Sequence, residues 1–164
     1  MINKHLTNNR DKKRTFVYLL LTIIFLTMLT ACSAKSTITG NEFSIKLKEL
    51  GFEVLDDSEQ CRANNPIKTC LYVETGSIYV GFIVFDSSNQ AVSGFNRLQE
   101  QAESYNNVSF HTTSINAANY NKFSTTSGGV YFYIMRIDDT LFYGSCDEAE
   151  KKILDTIVKT IKYK

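Results

Sequence analysis

The sequence predicts an α+β domain: a mostly antiparallel sheet with helices packed on one face, in the order α-β-β-β-α-β-β-β-β-α. Three observations predict it. The hydrophobic period after Thr39 runs at 3.6, changes to 2, and returns to 3.6 twice more along the chain. The alternating runs are short and are joined by turn residues. A hydrophobic content of 43% with 21% charged residues belongs to a folded chain rather than a disordered one.

The N-terminal segment stands apart from that domain. "KHLTNNRDKKR" is a basic stretch, and Phe16 to Leu29 is an apolar run of 14 residues. A spanning helix needs about 20 residues, so this run suits the apolar part of a secretory signal better. It ends Leu29-Thr30-Ala31-Cys32, which resembles the lipobox of bacterial lipoproteins: an aliphatic residue, two small ones, then cysteine. The resemblance implies cleavage after Ala31 and a diacylglyceryl group on the Cys32 sulfur. Two acyl chains give stable anchoring at about 0.8 kcal/mol per buried CH₂. The expected division is therefore a signal peptide over 1–31, a lipidated polar tether over 32–40 and a single domain over 41–164. The expected location is the extracytoplasmic face of the cell membrane.

Within the domain, Thr39 and Glu42 have capping-box spacing, Phe43, Leu47 and Leu50 share a helical face, and Gly51 stops the helix. Phe52–Asp56 reads as a strand. Thr69–Glu74 and Ser77–Phe85 read as a hairpin about Thr75-Gly76. The second of these is apolar on both faces, as a central strand is. Ala91, Phe95, Leu98, Ala102 and Tyr105 mark one face of the second helix, with Asp86, Ser87 or Ser88 as its cap. Val108–Thr113, Tyr120–Thr126, Val130–Ile137 and Thr140–Ser145 follow as a meander, with turns at Asn116–Asn119, Ser127-Gly128-Gly129 and Asp138-Asp139. Ser145 and Glu148 have the spacing of a second capping box, ahead of a stripe of Ile153, Leu154, Ile157, Val158 and Ile161. The second and third helices are expected on the same sheet face. The opening, the "YVGFIVFDSSNQAVSGFN" centre and the "YFYIMRIDDTLFY" strand pair look similar to small uncharacterised lipoproteins of Gram-positive bacteria. That resemblance implies no activity.

Charge excludes one class of partner. The net charge is +1, but residues 1–31 hold five basic residues against Asp11, which leaves the remainder near −3. Nucleic-acid binding calls for a basic excess that is missing here.

Cys61 and Cys70 bracket a polar loop, and outside the cytoplasm such a pair is expected to form a disulfide. Cys61–Cys146, Cys70–Cys146 and free thiols are the alternatives. Metal binding needs clustered ligands, and after Cys32 the chain has a single histidine, His111, and no C-x₂-C pair; no metal or cofactor is expected. A thiol enzyme would need Cys146, near an expected helix start, beside His111. Asp56 with Asp57, and Asp138 with Asp139, read as turn residues rather than acid–base pairs. Tyr131, Tyr133 and Tyr143 are a possible binding surface, since tyrosine offers large contact area at low entropy cost; the rival role is cross-strand packing. The leading expectation is a non-enzymatic lipoprotein that binds a protein or peptide, with interception of a toxic peptide as a concrete form. The alternatives are a thiol-dependent envelope enzyme using Cys146 and a structural subunit of an envelope complex.

Overall fold

Thr39 sets the first helix. Its side chain accepts from the Glu42 N–H at 3.2 Å, and the Glu42 carboxylate accepts from the Thr39 N–H at 2.7 Å. This reciprocal cap starts α1, Gly40–Glu49, which buries Phe43 and Leu47. Gly51, at φ +86°, ends it. The computed structural model describes residues 35–63, 65–105 and 109–163, the first three positions of the 109–117 strand by backbone alone. Cys32 and the signal segment lie outside the described residues.

Seven strands follow: β1 Leu55–Asp56, β2 Ile67–Thr75, β3 Ile78–Phe85, β4 Ser109–Ala117, β5 Tyr120–Ser127, β6 Val130–Ile137 and β7 Thr140–Asp147. They form one antiparallel sheet in the order β1-β2-β3-β7-β6-β5-β4. The other helices are α2 Ser58–Arg62, α3 Ser88–Ser104 and α4 Lys151–Ile161, the last preceded by a 3₁₀ turn over Glu148–Glu150. The α+β class and the broad order of elements match expectation. The short α2, which carries Cys61, adds one helix between β1 and β2.

The helices do not share one face, which corrects the expected packing. Phe43, Leu47, Leu154, Ile157 and Ile161 join Val80, Phe82 and Phe142 in the core under α1 and α4. Ala91, Phe95 and Ala102 of α3 meet Phe85, Phe123, Ile134 and Leu141 on the opposite face. The reason is strand alternation: β3 is apolar on both sides, and each side needs a cover.

Two boundaries also differ. The second capping box does not form. Ser145 and Cys146 stay in β7, where they pair with Phe132 and Tyr131, and α4 has no side-chain cap. A complete ladder satisfies more backbone groups than one cap. Residues 35–40, expected as polar tether, belong to the compact unit, which begins at Lys35. Ile38 is buried in the α1/α4 core, and Thr37 Oγ1 lies 2.8 Å from Thr140 Oγ1.

Candidate functional site

Register decides which tyrosines are free to act. Tyr133 faces Gly144 across the ladder and Ile134 faces Tyr143, so Tyr143 lies on the α3 side and Tyr133 on the other. Tyr131 and Tyr133 are each only 6% exposed, and they belong to the core beneath α1 and α4. Lys151 and Lys122 cover their rings at 4.4 and 5.0 Å. The expected surface of three tyrosines is thus corrected: two are core residues. Burial raises both their pKa values, that of Tyr131 to about 12.

Tyr143 belongs to a different row. Tyr72, Gly81 and Tyr143 are direct neighbours across β2, β3 and β7. Tyr72 stacks on Tyr79 at 6.0 Å, and Tyr79 meets Tyr143 at 5.5 Å. The Tyr143 hydroxyl donates to Tyr79 Oη at 3.0 Å. Burial, and then that hydrogen bond, raise the Tyr143 pKa, so the phenol stays protonated at any physiological pH. Residues with a period-2 reading could reveal this ladder only if the register were known.

Beside the ladder runs a groove. α3 covers the β5–β6–β7 part of its face and leaves β2 and β3 partly open. One hollow, of about 290 Å³, has Ile83, Phe85, Leu141 and Tyr143 as its floor and Arg97 and Gln101 of α3 on its rim. A second, of about 190 Å³, continues it beneath Tyr105 and Phe132. Leu98, Gln101 and Tyr143 line both. Gly94 lets the helix sit close at one end, since a Cβ there would fall 2.7 Å from Phe85 Cζ. Arg97 is exposed and makes no salt bridge among the described residues.

The cysteine pair stands at the edge of this site. Asp57 N–H donates to the Cys70 carbonyl at 3.0 Å, and Cys70 N–H donates to Ser58 Oγ at 2.9 Å. These bonds dock α2 against β2 and bring the half-buried Cys61 and Cys70 sulfurs to 2.7 Å. That is longer than a bond of about 2.05 Å, so the two are separate thiols here. Burial, and then the Cys61 thiol, push the Cys70 pKa up to about 12. Asn65 and Pro66, on the loop between the two cysteines, form part of the groove wall.

The other described candidates, Cys146 and the aspartate pairs, hold structural positions. Cys146 is 1% exposed, and burial pushes its pKa up to about 11. It sits in a strand rather than at a helix start, so it lacks the environment that makes a thiol nucleophilic. The His111 side chain lies outside the described residues. Asp56 accepts from the Ser58 N–H at 2.9 Å, which caps a turn; the Ser58 hydroxyl, and then that N–H, hold its carboxyl below the usual range. Asp138, at φ +49°, turns the β6–β7 hairpin. Among the described residues no group of three or more His, Cys, Asp or Glu could hold a metal ion, and no helix is long and apolar enough to cross a membrane. Compared with known proteins, the chain matches no family model, no curated protein and no solved structure.

Proposed function

We propose that this protein is a lipid-anchored lipoprotein on the extracytoplasmic face of the cell membrane, and that it works as a non-enzymatic binding module. Its ligand is an apolar peptide segment carrying a carboxylate. The groove beside α3 is the observation that carries this reading: an apolar, aromatic floor lies partly uncovered, with the exposed Arg97 cation at its rim. Small-ligand and peptide sites combine those features, an apolar surface for affinity and a few polar groups for orientation. Interception of a toxic peptide at the membrane is a concrete form of the same activity. The anchor rests on the Leu29–Cys32 pattern in the sequence.

Selection from a displayed peptide library tests the ligand. Selected peptides are expected to contain acidic and apolar residues, to shift the NMR signals of Ile83, Leu98 and Leu141, and to lose binding to Leu98→Glu. Shifts confined to other surfaces, or equal binding to Leu98→Glu, would count against the groove. Cys32→Ala tests the anchor: lipid labelling should vanish and unprocessed precursor should accumulate.

A further inference from the structure

The chain is fastened to the domain almost as soon as it leaves the anchor. Lys35 Nζ sits 5.2 Å from the centre of the Tyr120 ring. Thr37 meets Thr140, and Ile38 is buried. These contacts lie at one end of the sheet, where β5 and β7 begin and β6 ends. The same end holds Pro66, whose carbonyl accepts from the Asp86 N–H at 3.0 Å, and the Asp139 carbonyl, which accepts from the Phe85 N–H at 2.9 Å. It is also where α3 starts and where Pro66, Phe85 and Leu141 line the groove.

We infer that the domain stands on the bilayer on this end, with the lipid surface as its partner and the groove opening beside the headgroups. The inference rests on Cys32 being the lipidated residue. From Cys32 to Lys35 is three residues, and an extended chain reaches at most about 3.6 Å per residue, or roughly 11 Å. No long stalk separates the domain from the membrane, so its orientation is set by where the chain enters the fold. The opposite end, at the Gly76 and Gly128-Gly129 turns, lies one strand length away; eight residues of β3 at about 3.3 Å each span about 26 Å. Exposed charges at the seated end are balanced, with Lys35, Lys68 and Lys162 against Asp86 and Asp138 and the half-exposed Asp139. The contact therefore comes from the tether rather than from attraction to anionic lipid. A groove placed there meets its occupant at the membrane surface.

The test uses the lipidated protein in phosphatidylcholine vesicles doped with nitroxide-headgroup lipid. A fluorescent amino acid replaces either Asn89, exposed in the first turn of α3, or Thr75, exposed at the far end. Quenching at Asn89 should exceed that at Thr75 several-fold and change little between low and physiological salt. A twenty-residue Gly/Ser insertion after Ala34 should collapse the difference; persistence of the difference would overturn the short tether as its cause. Equal or reversed quenching in a chain whose Cys32 lipid is confirmed by mass spectrometry would overturn the orientation alone. A chain without lipid that fails to float with the vesicles would bring down the anchor together with it.

Discussion

The ring of Tyr143 occupies the space above Gly81: a Cβ built on Gly81 would lie 2.2 Å from Tyr143 Cε1 and 2.3 Å from Cζ. The glycine is needed for that close approach, since its backbone sits in an ordinary paired strand. It fixes the ring that floors the groove and that reaches Tyr79.

Gly81→Ala should therefore displace Tyr143 and loosen the tyrosine ladder. Overpacking of this kind costs about 1–3 kcal/mol. Denaturant unfolding of Gly81→Ala, Tyr143→Ala and the double variant measures it. The two changes should couple, with the alanine at position 81 costing less once the ring is gone. Additive costs would show that the ring is not what Gly81 accommodates.

Tyr163 closes the opposite core. Its hydroxyl accepts from the Ile137 N–H at 3.0 Å and meets Thr140 Oγ1, with the residue only 2% exposed. Tyr163→Phe should destabilise the fold by about 1–3 kcal/mol, because it leaves buried polar groups without that partner. A change below about 0.5 kcal/mol in urea unfolding would mean that other groups replace the hydroxyl.

Cys61 and Cys70 need little movement to bond. In protein isolated from an oxidising compartment, non-reducing mass mapping should find one peptide linked through these two residues. Reduction should then lower stability by about 2–3 kcal/mol, the loop-closure effect of a ten-residue ring. Alkylation of both thiols in freshly isolated native protein would refute the bond.

Cys146 should report on global unfolding. Its native pKa of about 11 lies above the ordinary thiol value, so the unfolded chain releases the proton first as pH rises. The native state then binds more protons than the unfolded state, and stability falls between about pH 9 and pH 11. Cys146→Ala should make that part of the stability–pH curve less steep, the rest of the slope coming from Cys70 and the buried tyrosines. Alkylation at pH 8 should label Cys146 only under unfolding conditions; rapid labelling of the native protein would contradict its burial.

Much of the fold was legible in the chain. The Thr39–Glu42 cap formed as its spacing implies, because that interaction is local and needs no partner element. Val130–Ile137 forms a strand over its expected length. The stripe on α3 was readable for the same reason: Ala91, Phe95 and Ala102 recur at the helical period. The Ser145–Glu148 spacing misled because a local signal competed with a ladder. Phe132 and Tyr131 are far from Ser145 and Cys146 in sequence, and nothing local announces them.

The candidate site was less legible. Tyr131, Tyr133 and Tyr143 looked alike in sequence, since each lies in an apolar, alternating strand. A strand alternates its own side chains, but it does not say which residue of the next strand stands opposite. Pairing Ile134 with Tyr143 put two tyrosines in one core and the third in the groove. The sequence by itself determined the class, the helical faces and the turns, because those depend on neighbours within a few residues. Tertiary structure alone decided that helices cover both faces, that the residues from Lys35 to Ile38 belong to the folded unit and that the groove lies beside Tyr143. Each of these depends on register and packing between distant segments, and period alone carries no information about either.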